Sequence, residues 1–160
     1  MRVTLAAVGR ARGEPETALF NDYWKRAEAA GARLGFTGFA TAIVDTSRGA
    51  TAEARMREEA ERLARKSPPS AHWVVCDQRG HSLTSDAFAA NLARLRDSGA
   101  SDVLFVIGGP DGLAAAIRDR AQQRIAFGAQ TWPHLLVRVM LAEQIYRALT
   151  ILSGHPYHRA

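Results

Sequence analysis

The chain of 160 residues closes on SGHPYHRA, so two of its five histidines fall in the last six positions, beside Tyr157 and Arg159. Imidazoles exchange protons near neutral pH, a phenol donates or accepts a hydrogen bond, and a guanidinium clamps anions. A tail holding His155, Tyr157, His158 and Arg159 therefore suits a hydrogen-bonding, stacking or proton-exchanging role better than a terminus free to fray. A second set lies in GAQTWPH, which ends on His134 and leads into an apolar stretch carrying Arg138. There a histidine could take a proton and an arginine could favour a developing anion. Ordinary roles stand beside these. His134 could cap a helix, Arg138 and Arg147 could pair with Glu143, and Trp132 could serve packing.

The third set is FVIGGPDGL, where Gly108 and Gly109 follow an apolar run. It lacks the lysine and hydroxyl of a GxxxxGK[ST] phosphate loop, and it is not GxGxxG. Pro110 removes a backbone donor and Asp111 would repel phosphate. The loop thus fits a ligand with a positive centre and little phosphate. It equally fits a tight turn whose Asp111 complements the dipole of the next helix. The single cysteine, Cys76, excludes an intramolecular disulfide and any CxxC metal site. That accords with a reducing compartment.

The elements that must position these residues alternate. Residues 3–8 read as a buried strand ending at Gly9, residues 14–30 as a helix with Gly31 as its C-cap, and residues 33–44 as a second strand with a bulge at Gly35 and Gly38. A charged helix over 52–66 gains from the i,i+4 pairs Glu58–Arg62 and Glu61–Arg65. HWVVCD (72–77) reads as a third strand followed by a turn at QRGH, then a helix over 84–96. DVLFVI (102–107) is almost uniformly apolar, as a central parallel strand covered on both faces would be. A helix to about residue 123, a short strand over 124–127 and a long final helix complete the chain. Such alternation gives an α/β class with a mainly parallel sheet flanked by helices, and no repeat or linker divides residues 1–160.

Composition is that of a globular chain, 47 % hydrophobic and 23 % charged. The balance of 21 Lys+Arg against 16 Asp+Glu leaves +5, which favours polyanionic partners, and a dimer would double it. MRVTLAAVG is too short for a secretory signal, and the apolar stretch from Val137 is broken by Arg138, Glu143, Gln144 and Arg147. A cytoplasmic protein with no membrane segment is expected. His72, Arg79 and His81 read as solvated surface residues.

DVLFVIGGPDGL and TWPHLLVRVMLAEQIYRALTILSGHPYHR resemble the C-terminal half of the RlmH family, and MRVTLAAVG is similar to that family's start. The likeness runs the whole length, with its specific motifs over 102–159. It implies a SPOUT-type α/β knot, a single domain whose C-terminal part forms a trefoil knot. Further implied are S-adenosylmethionine as methyl donor, a homodimer, and methylation of N3 of a pseudouridine, position 1915 of 23S rRNA, in the assembled ribosome. Carried across by residue, the cofactor pocket would comprise Cys76, Gly108, Gly109, Phe127, Gly128, Ala129, Gln130, Thr131 and Trp132. The acceptor side would comprise His134, Arg138, His155, Tyr157, His158 and Arg159. Methyl transfer from a sulfonium is an in-line displacement that needs alignment rather than a metal or a covalent nucleophile. Asp111 is not expected to act on the sulfonium, because such contact would favour the ground state. Cys76, Asp111 and Leu135 stand where relatives often carry leucine, glutamate and proline. A ribosome-docking RNA-binding protein of the same fold without catalysis is the alternative, although a pure binder needs no cofactor pocket.

Overall fold

In a computed structural model of the protein, which describes residues 1–11 and 13–158, strands alternate with helices. In chain order they are β1 (Arg2–Val8), α1 (Pro15–Gly31), β2 (Gly38–Val44), α2 (Ala52–Lys66), β3 (His72–Ser82), α3 (Ser85–Asp97), β4 (Asp102–Ile107), α4 (Ala115–Arg120), β5 (Gln123–Ala126) and α5 (His134–Ser153). The strands form one sheet of order β2-β1-β4-β3-β5, and every pairing is parallel. β4 is buried along its whole length, as its uniformly apolar sequence requires.

Two apolar clusters cover the two faces. One gathers Val3, Leu5, Phe105, Ile107, Leu141, Ile145 and Leu149 beneath α1, α3 and α5. The other gathers Ala6, Val8, Trp73, Val75, Leu104, Leu63 and Ile117 beneath α2 and α4. Each fully buried Leu, Ile or Phe contributes about 1.5–3 kcal/mol, so the sheet is held from both sides. Thr51 caps α2 and Thr84 caps α3, each hydroxyl accepting from a backbone N–H 3.1 Å away. Such caps are worth about 1 kcal/mol each.

Four local expectations are corrected. β2 begins at Gly38 rather than residue 33, because Ala32–Leu34 form a 3-10 turn closed by Gly35 at φ 80°. Gly31 ends α1 instead of capping it; the Phe39 ring lies so close that a Cβ there would stand 2.8 Å from it. QRGH is not a turn after β3 but part of it. Cys76 and His81 both pair with Ile125, and the residues between them bulge out. Gly80 crosses Ile125 so tightly that a Cβ would meet its backbone at 2.6 Å. Finally, His72 is half-buried rather than fully solvated: its Nε2 is buried without a partner among the described residues, and burial lowers its pKa. The Glu58–Arg62 pair forms at 3.3 Å.

Gly80→Ala should therefore lower the urea unfolding midpoint, by an amount equivalent to about 1–3 kcal/mol. A midpoint equal to the wild type would show that the bulge relaxes without cost.

Candidate functional site

The carboxyl ends of the central strands bring the glycine loop and the GAQTWPH–Arg138 set to one edge of the sheet, where open α/β sheets hold ligands. Cys76 pairs with Ile107 of β4 and Ile125 of β5, so it lies beside both the glycine loop and the segment after β5. Burial pushes its thiol up to about 12, leaving an uncharged, weakly polar group.

The glycine loop is shaped by the protein itself. Gly109 bridges to Gly112, whose N–H donates to the Gly109 carbonyl at 2.9 Å. A Cβ on Gly108 would stand 2.6 Å from the Gly112 carbonyl oxygen; one on Gly109 would stand 2.9 Å from Val8 Cγ1 and 3.2 Å from Glu59 Oε2. Asp111 does not cap α4, whose N-cap is Ala114. Instead it accepts from Arg55 Nε at 2.7 Å and Nη2 at 2.9 Å, and that hydrogen bonding holds its carboxyl below the usual range. Arg55 also donates to the Gly49 carbonyl at 3.1 Å, so α2 and the loop before it grip the glycine turn. Glu59, 2 % exposed, accepts from the Ser47 N–H at 2.8 Å. Sequence reasoning missed Arg55 and Glu59, since a charged helix gives no sign of which carboxylate or guanidinium turns inward.

The segment between β5 and α5 is mostly exposed. Thr131 Oγ1 donates to Gln78 Oε1 at 2.9 Å, and Trp132 Nε1 donates to the Phe127 carbonyl at 3.0 Å. Trp132 is 41 % exposed, which corrects its reading as a packing aromatic. Among the described residues, the backbone of 128–131 makes no hydrogen bond to other backbone.

His134 opens α5 without capping it, for the N-cap is Pro133 and no side chain serves there. Its imidazole faces Gly9: a Cβ on that glycine would stand 3.4 Å from His134 Nε2, 3.5 Å from Thr46 Oγ1 and 3.8 Å from Arg138 Nη2. Arg138 is 6 % exposed and does not pair with Glu143. Its Nη2 donates to the carbonyls of Val8 and Gly9, each at 2.6 Å. Burial lowers its pKa, and the nearby Glu14 carboxylate opposes that shift. For His134, burial first and the Arg138 charge second hold the imidazole below its ordinary value. Gly9, at φ 93°, also escaped sequence reasoning; a glycine closing the first strand was the only signal.

The tail folds back on α5. The His155 N–H bonds the Thr150 carbonyl at 2.9 Å after Gly154 turns the chain at φ 68°. Tyr157 donates to Glu143 Oε1 at 3.2 Å, its ring 4.7 Å from that of Tyr146 and under the Arg147 guanidinium at 5.0 Å. Arg147 pairs with Glu143 at 2.8 Å, as its spacing predicts. His158 Nε2 lies 3.7 Å from Asp86. Arg159 lies outside the described residues. Tyr157 thereby meets the wall of a cavity of about 610 Å³ lined by Tyr23, Ser85, Phe127, Gly128, Glu143 and Gln144. His134 and Glu143 are nine residues apart on α5, about 13.5 Å at 1.5 Å per residue, so the tail and the His134–Arg138 pair are not brought together within one chain. Among the described residues no group of three or more His, Cys, Asp or Glu is gathered for a metal.

The lowered pKa values of His134 and His72 fix a sign. The folded state binds fewer protons than the unfolded chain below an ordinary imidazole pKa of about 6.5. Stability from these groups is full above that pH and falls as pH drops through the window beneath it. His134→Gln should flatten part of the fall in urea midpoint between about pH 6.5 and 5. An unchanged slope would place His134 in water.

The family model described as "Predicted SPOUT methyltransferase" matches residues 1–158. Full-length relatives named "Ribosomal RNA large subunit methyltransferase H" include one from Bradyrhizobium diazoefficiens, 49 % identical over 160 residues and covering 100 % of both chains. Another, from Paracoccus denitrificans, is 52 % identical over 159 residues, covering 99 % of each. Among solved structures, a probable methylase family protein from Haemophilus influenzae shares the fold, with a TM-score of 0.51 at 8 % identity over 99 % of this chain and 70 % of its own. The chain, whose sheet carries a glycine loop and an exposed second loop at its strand ends and whose tail folds back on α5, is matched over residues 1–158 and belongs to the SPOUT methyltransferase family.

Proposed function

We propose that this protein transfers a methyl group from S-adenosylmethionine to N3 of a pseudouridine in large-subunit ribosomal RNA, at position 1915 of 23S rRNA in the assembled ribosome. The observation that carries this reading is the likeness to the relatives named above, which covers 99–100 % of the chain. The reading includes a single domain, a cytoplasmic place beside the ribosome and a knot; after β4 the chain passes β3 to form β5, then returns as α5. No described helix is long and apolar enough to cross a membrane.

The residues at the strand ends fit an adenosine. Cys76, uncharged, and Phe127 offer weakly polar surface for a flat ring, and the unbonded backbone of 128–131 offers donors and acceptors for its edge. Gly108 and Gly109 would serve through backbone, because the space their side chains would take is filled by Gly112, Val8 and Glu59. The bound cofactor supplies an electrophilic methyl group on a sulfonium. Everything else asked of the chain is alignment and proton handling. His134, held below the ordinary imidazole range, is uncharged at pH 7 and suited to receive the N3 proton at Nε2. Arg138 keeps His134 and the end of β1 in place through its two carbonyl contacts. His155, Tyr157 and His158 form the acceptor-side wall, and Arg159 is assigned to the same side by its place in the HPYHR motif.

The homodimer is part of the same reading. Leu19 and Leu136, both exposed, and Trp132 leave apolar surface on α1, α5 and the preceding loop. Contact between two copies would cover such surface. It would also allow a tail to approach the His134 of the other copy, which its own chain keeps apart. The net +5 on each copy then serves phosphate contacts over a wider face.

His155→Ala, Tyr157→Phe and Arg159→Ala should leave the calorimetric affinity for S-adenosylmethionine within about twofold while lowering methyl incorporation into ribosomes at least about tenfold. Loss of cofactor binding in these variants would move the tail into the donor pocket. Absence of heat with the folded wild type would overturn the methyltransferase reading.

A further inference from the structure

A second cavity, of about 600 Å³, lies between the β1–β2 edge, α1 and the first turn of α5. Nothing above uses it. Its apolar wall is a continuous aromatic surface: Phe20 stacks on Trp24 at 5.3 Å, and Phe39 meets Trp24 edge-on at 5.6 Å. Its polar side holds Arg138, 6 % exposed, whose Nε has no hydrogen-bond partner among the described residues. Thr17 Oγ1, also lining it, is buried and equally unpartnered, as is Oε2 of the adjacent Glu14. Arg10, paired with Asp45 at 2.6 Å, and Glu16 stand among the lining residues. Orphaned buried polar groups are costly, and a charged donor and a hydroxyl lining one cavity call for a ligand that accepts from both.

A uracil-class ring is that complement. Its carbonyl oxygens accept from a guanidinium and a hydroxyl, and its flat faces stack on aromatic rings, while its imide nitrogen stays free for the methyl group. The volume lies within the range of small-ligand pockets. The location agrees: Leu135 and Arg138 line the cavity, while His134, one turn before Arg138, follows directly on the exposed loop assigned to the methyl donor. Enzymes that modify a base commonly take it out of its stack. We propose that this cavity receives the extruded pyrimidine base of the RNA substrate. Arg138 and Thr17 read its edge, and Phe20, Trp24 and Phe39 hold its face. The inference rests on the methyltransferase reading and extends it to the place where the acceptor is gripped.

Thr41→Trp tests it, because Thr41 is an exposed lining residue on β2 and a bulky ring there fills the cavity without entering the core. The folded dimeric variant should bind S-adenosylmethionine within about twofold of wild type, yet its kcat/KM for ribosomes should fall at least about tenfold. Phe20→Ala should act in the same direction. In the wild type, uridine 5′-monophosphate should perturb the NMR signals of Phe20, Trp24 and Phe39, and Thr41→Trp should abolish that response. A folded Thr41→Trp protein that methylates ribosomes at the wild-type rate would overturn the proposal. So would one that sediments as a monomer, since the cavity would then belong to a contact between copies. If the wild type neither binds the donor nor methylates, the methyltransferase reading fails, while the nucleotide titration still reports on the cavity.

Discussion

A buried guanidinium that donates to two successive carbonyls is the contact on which the rest of the site depends. Arg138 joins the second turn of α5 to the last residue of β1 and to Gly9 beyond it. Hydrogen bonds from a charged donor are worth about 1.5–3 kcal/mol each, against the cost of removing the charge from water. That cost appears in the lowered pKa, and Glu14 offsets part of it. Without the contact, α5 would still be held farther along by Leu141, Ile145 and Leu149, but its first turn would be free. His134 is in that turn, and the exposed loop hangs from it. The same side chain lines the aromatic cavity, so one residue sets the relation between both halves of the edge.

The glycine loop shows a second economy. Its shape is dictated from below and from the side, by Val8, Glu59 and the Arg55–Asp111 pair, before any ligand arrives. A loop already fixed by its own protein loses little freedom when a ligand binds, so less of the binding energy goes into ordering it. The loop after β5 is the opposite case: its tethers are two side-chain bonds, Thr131 to Gln78 and Trp132 to the Phe127 carbonyl. The site thus pairs a floor fixed by its own packing with a cover held, among the described residues, by few bonds.

Much of this was legible in the chain. DVLFVI announced β4 to the residue, because a strand covered on both faces must be apolar throughout. The charged helix over 52–66 and the placement of the glycine loop at a strand end were equally plain. What escaped was long-range packing. The continuation of β3 through QRGH depends on Gly80 lying against Ile125, a contact 45 residues away in sequence. Likewise Arg138 looked like a partner for Glu143 because local spacing is what a sequence displays. Its real partners are carbonyls some 130 residues earlier. Trp132 misled for a related reason: large aromatics are usually buried, and only the outward path of the loop makes this one an exception. The motif residues were found because their types are unusual together, whereas Arg55 and Glu59 were hidden among ordinary helix charges.

The exposed indole has a practical consequence. Of the three tryptophans, Trp73 is 1 % exposed and Trp24 9 %, while Trp132 is 41 % exposed and its ring nitrogen is tied to the start of its own loop. In a single chain, water-borne quenchers therefore reach one emitter far more readily than the other two, and that emitter sits on the loop after β5. The loop thus carries its own optical reporter: a ligand or a second copy that covers it would shield the indole, readable without a label.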